Sequence, residues 1–311
     1  MAITVKINEY VELVGIIAYL GGCVSYKCEY KEFALYKKHP VVKAIKHLYR
    51  KDINALISFG AMLEYKRGKF TLRKEGARLK KSDEILDLLA DFYKISSFHK
   101  FFKKMSGFYD ETVAQYTKLL GALNEEWFKV FFGDFEQEDL SAIVSPTLNR
   151  FIVSSKKNVV VSEFNGEILT IIRAFCHIYI DPLLCGSDKR QEILQPCADK
   201  MLEVSKWAMQ EQGFGEWQVL VNEYIVRAVA NVYMQENNFI KQDIRNDIMD
   251  NVGRGFYLMP ELVGYLNKYR YCRDKFKTFG EFYFELAKFF SSHIEKEIKR
   301  VDDIVSVILE V

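Results

Sequence analysis

The chain has 311 residues, of which 49% are hydrophobic, and 44 Lys and Arg stand against 42 Asp and Glu for a formal net charge of +2. That length and apolar fraction suit one large domain or two small ones with a substantial core. The charge balance offers no footprint for nucleic acid, and the early apolar segment, residues 11–23, is too short and too interrupted by Glu12 to span a bilayer.

In chain order, Asn8 is placed to cap a helix over residues 9–20, which Gly21 and Gly22 end. Val11, Val14, Ile17 and Ala18 recur in it at helical spacing. Pro40 opens a second helix and Asp52 caps a third, reaching residue 63. Residues 69–73 are turn or strand. One long amphipathic helix is expected over 82–104, another from a cap at Asp110 to 123, and a further turn or two over 125–132. Residues 140–144, 150–154 and 159–163 are short, β-branched and separated by turn formers, so they form a small sheet, with Pro146 ending the first strand or marking an edge. A helix over 167–179 ends at Pro182, which disfavours helical geometry at Asp181. A polar loop over 186–195 follows, then helices over 196–212, 217–234, 238–251, 259–273 and 278–299, and a final strand over 304–311. The 24 Phe and 18 Tyr are assigned to helix packing.

None of the six cysteines forms a C-x-x-C pair, so no zinc ribbon is expected. Scattered reduced thiols fit the chain; if one pair forms, it is Cys185 with Cys197. No basic-then-apolar leader is visible, which leans towards the cytoplasm, or towards export if a leader was removed. His39 and His47 are expected at the surface.

Two runs carry chemistry. Residues 171–182 read IIRAFCHIYIDP and residues 222–228 read NEYIVRA. A zinc peptidase of the H-E-x-x-H type needs two histidines one helical turn apart and a Glu after the first as general base, with a third ligand from elsewhere. Here His177 stands at the second histidine, Arg173 at the first, Ala174 at the base, and Glu223 is placed as the third ligand. Cys176 points about 100° away from His177, toward the core. A two-ligand metal site completed by Asp181, one turn after His177, is less favoured, because Pro182 draws Asp181 off the helical geometry.

These runs resemble the gluzincin-type zinc metallopeptidases. More closely, they resemble a bacterial domain-of-unknown-function family whose members carry H-E-F-x-H, a short hydrophobic run and Pro, then N-E-x-x-x-R-A on a later helix. Glu12-Leu13, His39-Pro40-Val41 and Tyr269-x-x-x-Arg273 add weaker likeness. The resemblance implies an α+β, predominantly helical fold, with a zincin-like core, a small mixed sheet and surrounding helices. It divides the chain into a helical part, 1–135, and a zincin-like part, 136–311, with motif helices 166–180 and 217–235, unless the two form one compact unit. Zinc is the metal of the resembled family, and the edge strand of its cleft binds substrate backbone.

The departures redirect that expectation. A guanidinium has no lone pair for a metal but can pair with a carboxylate through two hydrogen bonds. No metal, cofactor or catalytic residue is therefore expected. Arg173 fills the vacated metal position and pairs with Glu223, and Arg227 stands behind them. The chain then reads as a non-catalytic relative of a zinc metallopeptidase that binds a peptide or protein in the residual cleft. The alternatives are an active metal-dependent hydrolase with a non-standard site, or a helical interaction protein with a plugged cleft.

Overall fold

The side chain of Asn8 accepts from the backbone N–H of Tyr10 at 2.8 Å and of Val11 at 3.2 Å, so the first helix starts where its cap places it. The computed structural model describes residues 3–24, 30–49, 52–73, 82–133, 140–154, 159–163, 167–185 and 188–309. Its elements are β1 (Thr4–Ile7), α1 (Glu9–Leu20), a 3₁₀ turn (Lys31–Tyr36), α2 (Pro40–Tyr49), α3 (Ile53–Met62), β2 (Leu63–Lys66), β3 (Lys69–Leu72), α4 (Ser82–Ile95), α5 (Phe98–Lys104), α6 (Ser106–Leu120) and α7 (Glu125–Phe132). There follow β4 (Ser141–Ser145), β5 (Arg150–Ser154), β6 (Val159–Glu163), α8 (Ile168–Cys185), α9 (Asp188–Glu211), α10 (Trp217–Glu236), α11 (Lys241–Gly253), α12 (Met259–Tyr269) and α13 (Phe279–Leu309). The architecture is α+β and predominantly helical, with small mixed sheets.

Two compact units divide the chain: Met1–Leu123 with Glu138–Ala174, and Asn124–Gln137 with Phe175–Val311. The strands after residue 140 thus group with the N-terminal helices rather than with the second motif helix, unlike the expected division at 135 and 136.

In the first unit a four-stranded sheet runs in the order β1-β4-β5-β6. β1 pairs parallel to β4, Thr4 against Ser141, and the other neighbours are antiparallel. A separate hairpin joins β2 to β3 through Arg67 and Gly68, both at positive φ (52° and 82°), the backbone that a two-residue turn between twisted strands requires. The core around α1 holds Leu13, Ile16, Ile17, Ile45, Phe59 and Phe92. Gly60 lets α3 approach α1 closely: a Cβ there would sit 2.6 Å from Val14 Cγ2 and 3.2 Å from the Tyr10 carbonyl oxygen. Gly60→Ala is expected to destabilise the chain by about 1–3 kcal/mol through overpacking, read as a lower urea midpoint by circular dichroism.

In the second unit α10 is buried on nearly every face, from Leu220 to Met234, because α9, α11 and α12 pack around it. The aromatic load goes into helix packing, as expected: Trp127 stacks on Phe131 with centroids 4.5 Å apart, and Phe132 stacks on Tyr179 at 4.6 Å.

Several expected boundaries move. Ser97, at φ 52°, breaks the long helix into α4 and α5. α6 begins at Ser106, ahead of Asp110. Pro182 lies inside α8 and Pro196 inside α9, so the helix does not stop at Asp181, and most of the expected loop 186–195 is helix. Each Pro removes one backbone donor; Ile180 and Leu184, fully buried on either side of Pro182, hold α8 together by packing. The expected C-terminal strand is instead the end of α13, a 31-residue helix. Cys197 is a free thiol whose Sγ–H donates to the Leu194 carbonyl at 2.9 Å, so it forms no disulfide with Cys185. Cys28 lies outside the described residues. His47 is exposed, but the His39 side chain is only 7% exposed: Nδ1 accepts the Val41 N–H at the start of α2, and Nε2 meets Asp91 at 3.1 Å. Among the described residues no single helix is long and apolar enough to cross a membrane.

Candidate functional site

α8 and α10 carry the two motif runs. On α8, residues 173, 177 and 181 are spaced by four and share a face. Because the helix continues through Pro182, Asp181 sits one turn below His177 and its Oδ1 lies 2.9 Å from the ring Nδ1. From α10, Glu223 brings Oε1 to 3.1 Å from Nε2 of the same ring. The other oxygen of Glu223 accepts from Arg227 Nε at 2.8 Å, one turn along α10.

The chain of contacts continues inward. Arg227 Nη1 donates to Asn251 Oδ1 of α11 at 2.7 Å, and its guanidinium lies 4.6 Å from the centre of the Phe256 ring and 5.5 Å from that of Phe214. Cation–ring contact of this kind helps a buried guanidinium that is also hydrogen-bonded. Asn251 Nδ2 donates to the Asp247 carboxylate at 3.0 Å, and Asn231 Nδ2 donates to it at 2.7 Å. Charge therefore alternates along the row Asp181, His177, Glu223, Arg227, with amides and Asp247 beyond it.

The partners decide the protonation states. Burial alone would lower the His177 proton affinity, but hydrogen bonds to Asp181 and Glu223 override it and raise the imidazolium pKa to about 10. Burial alone would raise that of Glu223, but His177 and Arg227 hold the carboxyl down at about 2. At neutral pH His177 is thus held as an imidazolium that donates through both ring nitrogens, to Asp181 and to Glu223.

Of the residues singled out in the sequence, His177, Glu223 and Arg227 are brought together. Arg173 stands one turn before His177 on α8 and is half-buried, whereas Ala174 and Cys176 are buried. The expected pairing of Arg173 with Glu223 is replaced: His177 takes one carboxylate oxygen and Arg227 the other. Arg227 is a direct partner and not a support behind one. Asp181, disfavoured on the strength of Pro182, grips the imidazole, and its spacing of four from His177 was the available signal. Asn251, Phe214 and Phe256 carried no signal in the sequence.

Zinc does not fit this donor set. His177 and Glu223 supply two donors, Asp181 is engaged by the opposite ring nitrogen, and a guanidinium stands at the position of the first histidine. Among the described residues no group of three His, Cys, Asp or Glu is arranged to hold a metal ion.

A family model described as a domain of unknown function, DUF4932, matches residues 80–289, more than half of the chain. The chain belongs to the DUF4932 family. Both motif helices and the whole ionic row fall within the DUF4932 match, whereas α1 to α3 and their hairpin precede it. No curated protein and no solved structure matches the chain.

Proposed function

We propose that this DUF4932 protein is a non-catalytic relative of the gluzincin-type zinc metallopeptidases, with a zincin-like core, that binds an extended peptide or protein segment. The observation that carries the reading is the 3.1 Å contact between His177 Nε2 and Glu223 Oε1. Two helices whose sequences resemble that family's metal helices meet through these two side chains, and the contact is an ion pair. The charge that a cation would bring to Glu223 comes from the imidazolium and from Arg227. Without a metal-activated water or a carboxylate at position 174, the hydrolytic machinery of the resembled family is missing. The binding half of the reading draws on the sheet, where β6 stands at one end of the strand order. An edge strand offers backbone hydrogen bonds to an extended chain.

Metal analysis and casein hydrolysis, with and without equimolar zinc, test the first half. We expect no stoichiometric zinc and no cleavage from the native protein, and zinc retention by Arg173→His, which supplies the missing imidazole. One zinc per native chain, lost in Glu223→Gln, would overturn the ion-pair reading. For the second half, adding tryptic casein peptides should slow amide exchange in β6; unchanged exchange there removes peptide binding by strand addition.

A further inference from the structure

In the first unit the fully buried Glu12 of α1 faces hydroxyls. Ser145 Oγ–H donates to Oε1 at 2.5 Å, Thr147 Oγ1–H donates to Oε2, and the Tyr109 hydroxyl of α6 supplies a third bond. No cation pairs with Glu12 among the described residues. α3, packed along α1, has no ionisable side chain between Ile53 and Met62. The charged residues of α2 and of the 3₁₀ turn are exposed, as are the lysines of α5. Glu9, one turn earlier on α1, is held by Tyr93 and by His99 of α5. Arg150 of β5 donates to the carbonyls of Leu148 and Asn149.

The hydrogens of this cluster have a direction. Ser145 Oγ accepts the Leu148 N–H at 3.2 Å and passes its own hydrogen to Glu12. Thr147 gives its hydrogen to Glu12, so the 3.2 Å contact between Thr147 Oγ1 and the Tyr30 hydroxyl runs from Tyr30 to Thr147. Every donor chain ends on the carboxylate. A protonated Glu12 must instead donate once. The Ser145 arm cannot reverse along its length, because its far end is a backbone N–H, which cannot accept. The Thr147 arm and the lone Tyr109 hydroxyl can, and the Thr147 arm carries the change on to Tyr30.

We propose that Glu12 is a pH-responsive latch on the turn between β4 and β5, in which protonation of Oε2 reverses the Thr147–Tyr30 hydroxyl chain and tightens the hold of α1 on that turn. The added proton sits on Oε2, the Thr147 hydroxyl turns to accept it and donates to the Tyr30 oxygen, and the Tyr30 hydrogen turns away from Thr147. Tyr30 is half-buried. Gly15, one turn after Glu12, couples the turn tightly to α1: a Cβ there would meet Leu148 Cγ at 2.9 Å and Thr147 Cγ2 at 3.1 Å. Burial first, against the opposing hydroxyl bonds, raises the Glu12 carboxyl to about 7. Its folded value thus exceeds the unfolded 4.5. The stabilising contribution is full below pH 4.5 and is lost as pH rises through about 7.

Carbon and amide NMR on the full chain tests the latch. The Glu12 carboxyl carbon and the Leu148 amide should titrate together, with a shared midpoint near 7. Glu12→Gln should abolish the Leu148 titration and melt above the native protein at pH 8 but not at pH 5. A Glu12 midpoint in the ordinary carboxylate range, or a Leu148 amide that still follows pH in Glu12→Gln, overturns the proposal. If Glu12→Gln does not fold, the native protein decides alone, and unequal midpoints for the two nuclei overturn it.

Discussion

Glu223→Ala is expected to destabilise the second unit by about 3–5 kcal/mol, the usual cost of removing one member of a buried ion pair. The argument is one of what remains behind. The His177 and Glu223 side chains are only 19% and 15% exposed, and that of Arg227 only 10%. With the carboxylate gone, the imidazolium keeps Asp181 and the guanidinium keeps Asn251 and the two rings, but each loses its bond to Glu223. Glu223→Gln keeps the volume and one acceptor oxygen, so its loss should be smaller, about 1.5–3 kcal/mol for charge-assisted bonds. All three tryptophans, Trp127, Trp207 and Trp217, belong to the second unit, so urea unfolding followed by tryptophan fluorescence reads that unit alone. A midpoint for Glu223→Ala within error of the native value would mean that the row of charges is solvated and contributes nothing.

Elements were legible where a local cause sufficed. α1 has its cap and apolar spacing, β4 to β6 their β-branched runs, and α10 its continuous apolar character. β1 was not legible: four residues find their partner at Ser141, and nothing nearby in sequence announces a parallel pairing. β2 was not legible either: its turn is Arg67-Gly68, and an arginine at positive φ does not advertise a hairpin as Asn-Gly would. The Pro182 rule failed because a local penalty was weighed without the packing that offsets it. The same failure hid Asp181, whose position on the helix was otherwise fixed by the spacing of four from His177. At the site, the meeting of His177 with Glu223 was anticipated from the likeness of the two runs. The choice between Arg173 and Arg227 as the partner of Glu223 was not, although a residue four positions along the same helix needs no tertiary arrangement to reach it.

The stability of the second unit should fall at alkaline pH through His177. Its folded pKa is raised to about 10 from 6.5. The folded state therefore holds the proton more tightly, and this contribution is fully present below pH 6.5 and is lost as pH rises through about 10. The gap corresponds to roughly 5 kcal/mol as an upper figure. On the acid side, Glu223 has its folded value depressed to about 2 from 4.5, so its contribution is present above pH 4.5 and is lost as pH falls through about 2. Both shifts describe largely the same contact and are not summed. His177→Gln should flatten the alkaline limb of tryptophan-monitored stability, which separates this histidine from the lysines and tyrosines that titrate in the same range. Nitrogen NMR of the native protein at pH 8 should find both ring nitrogens of His177 protonated. A ring that instead loses its proton near 6.5 would leave a lone pair beside Glu223 at neutral pH, and the ion pair would no longer account for the charge a cation would bring.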